Sequence, residues 1–404
     1  MLEFYSSSNG VVNSKRAVAE CLENALGTEN LDCDLIIFYT AMGHDFEEIL
    51  SEMHRLSPNA EIAGCTGAGV IGREGPNQTM RALGIMAIRG PKEELSVASR
   101  ETIVNADSYE VGARLAQDLK SQNPNINMIL FHPSGLEIFP EGAIEGIESV
   151  FGPDVPIIGG PSLDNMKFAG DFQFAGDRIF ERGAVAVGFA DPTLEVIAQA
   201  NHGFSDTGES FEVTRSELNH VFELDGQRAW KSLTERLGLP ETVPPIEVCF
   251  APLAEQLPEE LYEEYGSQYI IRVYGGSFES VSEDGSLFVA ASCPEGTKLW
   301  LMKRDEKGIF EGVDRMVEQV VQRCEGRRPV AVFHADCAAR GKLLFNRFLK
   351  DEIVSRMQYP LCRDENVPWL GMYGGGEFTM IGGRNQIHAF TSSIYVFLRR
   401  DNKS

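Results

Sequence analysis

One phrase recurs four times along this chain: an apolar strand, a stretch with room for a helix or long loop, a strand running into glycines or polar turn residues, and a further apolar strand. The first copy occupies residues 34–40, 45–56, 60–69 and 82–88, and the second 127–133, 140–151, 156–165 and 183–189. The third, looser copy occupies 246–253, 269–278 and 285–292, and the fourth 329–335, 343–357, 369–377 and 392–398. Repetition of one supersecondary unit means that the units bury their apolar faces against each other. It also gathers polar residues at equivalent strand ends, from distant parts of the sequence, around shared clefts.

The strands are rich in Val and Ile and almost continuously apolar, as strands covered on both faces are. Helical spacing of apolar residues at 12–27 and 113–120 places helices between them. The expected fold is therefore α/β, with two similar halves, each built from two repeated β-(helix/loop)-β-β modules in mixed sheets covered by helices. Between the pairs of modules, 194–200 and 211–217 alternate like strands, and 227–237 looks helical before Gly238 and Pro240. A boundary near 224 divides the chain into domains 1–224 and 225–404, in close contact.

Sixty acidic against 36 basic residues leave a net charge of −24, which repels nucleic acid and anionic membrane surfaces. No apolar run is long enough for a membrane helix, and the N-terminus lacks a signal-peptide pattern. Eight cysteines are spread along the chain with no Cys-x-x-Cys pair. They read as reduced thiols of a cytoplasmic protein.

The glycine-rich stretch at 63–69, AGCTGAG, follows a strand but has neither the spacing of a dinucleotide fingerprint nor a helix after it. It reads as a tight turn, with Cys65 and Thr66 at the strand end. His132 and His334 each follow the phenylalanine of a first strand, in modules two and four. In FHADCAARG, residues 333–341, Cys337 is either a small buried residue or a thiolate nucleophile made reactive by a helix N-terminus. Arg340 has a fork suited to a carboxylate or phosphate, or to a structural acid such as Glu377. Residues 373–393 cluster Glu377, Arg384, Asn385, His388 and Thr391 between two buried strands, which favours a pocket. The main site is expected between the end of the strand at 330–333 and the 374–391 segment. There Arg340 would hold an anionic group and Glu377 an amine or amide.

These landmarks, in order, resemble the FIST family (F-box and intracellular signal transduction proteins). They are IAGCTGAGVIG at 62–72, VPIIGGPSLDN at 155–165, FQFAGDRIFERGAVAVGF at 172–189, NHVFELDGQRA at 219–229, VFHADCAARG at 332–341 and GMYGGGEFTMIGGRNQIHAFTSS at 371–393. Gly375, Phe378, Thr379 and His334 depart from the usual pattern. The resemblance implies a sensory input module for a small ligand, an amino acid or similar, that passes its signal to a separate partner such as a histidine kinase. Some members are similar to haem-binding nitric oxide sensors, which makes His334, His132, His202 and His388 haem-ligand candidates. A cysteine-dependent enzyme using Cys337 or Cys65 is the third alternative.

Overall fold

The structure, a computed structural model, describes residues 1–248, 251–269, 281–341, 347–362 and 366–400. The first repeat runs β1 Glu3–Asn9, α1 Ser14–Leu26, β2 Leu35–Thr40, α2 Phe46–Leu56, β3 Glu61–Thr66, a hairpin of β4 Val70–Gly72 and β5 Gly75–Asn77, then β6 Leu83–Arg89. The second runs β7 Leu95–Arg100, α3 Ser108–Gln122, β8 Met128–Pro133, α4 Pro140–Phe151, β9 Ile157–Gly159, a hairpin of β10 Phe172–Ala175 and β11 Arg178–Glu181, then β12 Ala184–Phe189. Local sequence sets the helix starts. Asn13, Asp45 and Asp107 accept backbone N–H bonds at the N-termini of α1, α2 and α3.

The next repeat opens with β13 Leu194–Asn201 and is interrupted by an insertion. This comprises β14 Ser205–Glu217, β15 His220–Leu224, β16 Gln227–Arg228, α5 Ala229–Arg236, α6 Pro245–Val248, β17 Leu253–Gln256, α7 Tyr262–Tyr265, β18 Gln268–Tyr269, β19 Leu287–Phe288 and β20 Lys298–Lys303. It resumes as α8 Glu306–Cys324, β21 Ala331–Cys337, α9 Arg347–Cys362, β22 Trp369–Gly374, a hairpin of β23 Glu377–Ile381 and β24 Arg384–His388, and β25 Ser392–Arg399.

In each repeat the first two inner strands are parallel and the last lies antiparallel beside the first: β6-β2-β3, β12-β8-β9 and β25-β21-β22. The fold is thus mixed α/β, with mixed sheets covered by helices, and its two halves are similar in being built on this unit. Two such units make up the N-terminal half, and one, carrying the insertion, the C-terminal half. Modules two and four coincide in strand order and direction.

The hairpins are exchanged in a cycle. β4–β5 of the first repeat extends the sheet of β22, β10–β11 of the second extends that of β3, and β23–β24 of the third extends that of β9. The three sheets turn one face inward and pack helices on the other. Phe397 on β25 meets Phe4, Phe189 and Phe333 at ring-centroid distances of 5.7, 5.7 and 5.2 Å, so all three repeats share one core. Outside, α1 and α2 cover the first sheet, α3 and α4 the second, and α8 and α9 the third.

The loosest copy of the phrase behaves differently. Residues 246–248, expected as the start of a strand, lie in the helical turn Pro245–Val248, because Pro244-Pro245 suits a helix start. The insertion's strands form a separate sheet around β14 and β20 with its own apolar cluster. The strand expected at 269–278 lies outside the described residues beyond Tyr269, and the helix expected at 343–357 is described from residue 347.

Candidate functional site

Register makes three positions equivalent. Tyr39, His132 and Ala335 all lie near the end of the first parallel strand of their repeat, and across from them stand Cys65, Gly160 and Met372. The exchanged hairpin sets a third residue beside each: Gln173 opposite Cys65, Val70 opposite Met372, and Glu377 next to the Phe378–Gly159 pair. The backbones cross tightly at the last of these. A Cβ on Gly160 would lie 2.1 Å from the Gly376 carbonyl oxygen, which explains the paired glycines of both motifs.

The three seams differ in chemistry. Around Val70 the seam is apolar. Around Gln173 it is polar but satisfied. The Gln173 amide donates to Ser162 Oγ at 2.6 Å and to Asp171 at 3.0 Å, and its oxygen accepts from Gly183 N. Asp171 accepts from Ser134 Oγ and Gly135 N, both at 2.9 Å. Nearby, His132 bonds Tyr39 Oη and the Gly160 carbonyl, each at 2.8 Å, and Thr66 Oγ1 accepts from Phe172 N at 3.0 Å. Cys65 Sγ lies 3.5 Å from Met372 Sδ.

The seam around Glu377 is polar and unsatisfied. Glu377 is fully buried, and neither carboxyl oxygen makes a well-formed hydrogen bond, although the Thr391 backbone lies close enough to act on it. Its register partner His388 is equally buried, with neither ring nitrogen in a well-formed hydrogen bond, although the Thr379 backbone acts on the ring. Tyr269 Oη, Thr379 Oγ1 and Ser393 Oγ are also buried without a well-formed hydrogen bond, with Thr391 beside Tyr269 and Tyr395 beside Ser393. The Tyr269 ring meets His388 edge-on at 5.1 Å and His202 at 4.9 Å. A buried polar group left unpaired costs about 1–3 kcal/mol, so such a cluster marks a candidate functional site.

Burial raises the Glu377 carboxyl well above the usual range. The neighbouring Asp336 adds to this, while Arg340 and the Thr391 backbone oppose it. Burial likewise lowers His388 to about 3, with His202 acting in the same direction. Burial thus favours the neutral form of both groups.

Arg340 is buried and committed. Its Nε donates to Asp336 at 2.9 Å and its Nη1 to the His202 carbonyl at 2.9 Å. Thr391 lies in the same neighbourhood: its carbonyl accepts from Cys337 N, and its hydroxyl donates to the Ala389 carbonyl. So the structure gathers Cys337, Arg340, Glu377, His388 and Thr391, with Asp336. Arg384 is elsewhere, exposed at the hairpin tip and lining a surface cleft of about 900 Å³ with Glu145 and Glu255.

Of the two readings of Cys337, the small buried residue is favoured, because burial raises its thiol and Glu377 adds to the shift; Cys65 is raised by burial as well. One expectation needs correction. His132 and His334, alike in sequence context, point to opposite faces. Their strands are offset by one residue, so His132 faces the interior while His334 lies under α9, bonding Ser392 Oγ at 2.9 Å. Tyr269, Thr379 and Ser393 escaped sequence reasoning. Thr379 and Ser393 carried one signal, a polar side chain alternating onto the face of Glu377 or set inside an apolar strand. Tyr269 carried none, since the insertion delivers it.

The four histidines do not fit a haem. His132 has both ring nitrogens bonded, His202 Nδ1 accepts from Phe204 N, His334 Nε2 bonds Ser392, and His388 lies fully buried between strands. Among the described residues no group of three His, Cys, Asp or Glu side chains is placed to hold a metal ion.

Residues 34–227 match the FIST N domain and 231–380 the FIST C domain, and the chain belongs to the FIST family. FIST domains are associated with signal transduction and small-ligand sensing. An uncharacterized protein of Mycobacterium bovis is 24% identical over 250 residues, spanning 61% of this chain and 61% of the relative. One of Methanocaldococcus jannaschii is 24% identical over 338 residues, covering 78% of this chain and 63% of the relative. The match thus spans about three fifths of these relatives' length. A cyanuric acid hydrolase from A. caulinodans aligns over 99% of this chain and 100% of its own, at 6% identity and TM-score 0.38. A chorismatase aligns over 98% and 99%, at 8% identity and TM-score 0.34. Likeness this weak says nothing of this chain's chemistry. Among the described residues no helix is long and apolar enough to cross a membrane.

Proposed function

We propose that this chain is a non-catalytic sensory module that takes a small molecule into the seam between its second and third sheets and passes the signal to a separate protein. The observation that carries this is the Glu377–His388 pair. This seam sets an acid, an imidazole and three hydroxyls together in a fully buried place with no well-formed hydrogen bond among the described residues. A guest that pairs them recovers hydrogen bonds that these side chains do not make with one another.

The β23–β24 hairpin is the transmitting element. Its inner face carries Glu377, Thr379 and His388, while Gly382 and Arg384 at its tip border the surface cleft. It joins its host sheet through one register pair, Phe378–Gly159, backed by the Phe131–Phe378 stack at 5.3 Å. The other two hairpins have three pairs each. A guest bound to the inner face shifts the position of the tip, where a signalling partner such as a histidine kinase would read it. A cytoplasmic setting agrees with the seven described cysteines, all free and buried.

An amino acid held between Arg340 and Glu377 is the less favoured ligand, because Arg340 is already paired with Asp336. Native mass spectrometry of purified wild type and Glu377→Leu tests the site. A small bound mass, lost in the variant, is the expected result; identical unliganded spectra together with unchanged thermal response to a metabolite panel overturn it.

A further inference from the structure

We infer that the molecule this seam takes is uncharged and carries hydrogen-bond donors and acceptors side by side, as an amide, imide or urea does. The inference rests on the reading of the seam as a ligand site. Five groups stand there without a well-formed hydrogen bond: Glu377, His388, Tyr269 Oη, Thr379 Oγ1 and Ser393 Oγ. A hydroxyl both donates and accepts, and so do a neutral imidazole and a protonated carboxyl. All five belong to fully buried residues, so no solvent compensates a guest's charge there.

The fixed charges nearby already cancel. Asp336 and Arg340 form a buried pair at 2.9 Å, and Arg340 also binds the His202 carbonyl. An anion would enter beside Asp336 and Glu377, both acidic. A cation would have to shed its hydration in a closed interior, and Glu377 would have to release its proton to solvent to become the counter-ion. An amide loses less on dehydration, and its N–H and C=O, fixed on one edge, match the O–H and C=O edge of a protonated carboxyl. His388, across the hairpin, supplies one donor and one acceptor for the opposite edge.

Three small probes of similar size separate the classes: acetamide, methylammonium chloride and sodium acetate, compared at equal ionic strength and pH 7. Binding is read by saturation-transfer NMR and by thermal shift on wild type, Glu377→Gln and Glu377→Leu. Acetamide should bind wild type and Glu377→Gln with affinities within a few fold, and Glu377→Leu about tenfold more weakly or worse. Methylammonium binding that strengthens with pH and vanishes in Glu377→Gln would overturn the uncharged class while leaving the seam a ligand site. Acetate binding lost in Glu377→Leu would do the same. If no probe binds wild type, and a crystal structure shows only ordered waters on Glu377 and His388, both this inference and the site itself fall.

Discussion

Glu377 and His388 face each other as register partners across one hairpin, both fully buried and neither in a well-formed hydrogen bond among the described residues. Gln173 occupies the position equivalent to Glu377 in another repeat and has every polar atom of its side chain engaged. The same backbone place therefore serves once as a structural clasp and, on the proposed reading, once as a ligand site, and the distinction makes different demands on substitution.

At the clasp, loss of polarity should destabilise. Gln173→Leu leaves Gly183 N–H, Ser162 and Asp171 short of partners and should lower the unfolding free energy by about 1–3 kcal/mol. Tyr39→Phe, which strips His132 Nε2 of its bond, should act in the same direction. Urea unfolding measures both, and neither variant should alter ligand-dependent stabilisation.

The acid dependence of stability should carry the signature of Glu377. Its folded-state pKa lies above the unfolded value of about 4.5, so above that pH the folded chain holds a proton that the unfolded chain releases. Stability contributed by the neutral form is present at low pH and declines as pH rises towards the folded pKa. Wild type should lose stability relative to Glu377→Gln by up to about 1.4 kcal/mol per pH unit in that window. His388 has the opposite sign. Lowered to about 3 from 6.5, it favours the folded state increasingly as pH climbs between those values, and His388→Leu should flatten that limb. Denaturant titrations from pH 4 to pH 9 read both slopes.

The exchanged hairpins make the two FIST regions interdependent. A chain ending after Asn201 leaves β13 without β25, β9 without β23, and the β4–β5 hairpin without β22. It should show no cooperative thermal transition by circular dichroism. A sharp, reversible melt of that fragment would mean that the first two repeats hold together without the third.

Much of this architecture is written in local patterns. The apolar strands of modules one, two and four, and the helices starting at Asn13, Asp45 and Pro140, follow from periodicity and capping. The exchange of hairpins does not. Residues such as Val70–Gly72 are short strands whose partner, β22, lies some three hundred residues away, and no local preference names it. The site was half legible. Glu377, His388 and Thr391 stand out as polar residues between buried strands, and Arg340 and Cys337 fall beside them. Whether Arg340 is committed depends on Asp336, one helical turn away in sequence, and on the His202 carbonyl, which only the folded chain supplies. The matching places assigned to His132 and His334 failed because a one-residue offset reverses the face a strand residue presents.

The most direct measurement is the urea unfolding free energy of wild type and Glu377→Leu, with and without millimolar acetamide. Without the probe, Glu377→Leu should be more stable than wild type by about 1–3 kcal/mol, because it removes a buried polar group that makes no well-formed hydrogen bond. With the probe, wild type should gain stability and the variant should not. A Glu377→Leu chain less stable than wild type, with neither protein responding to acetamide, would contradict the claim and make Glu377 a structural residue like Gln173.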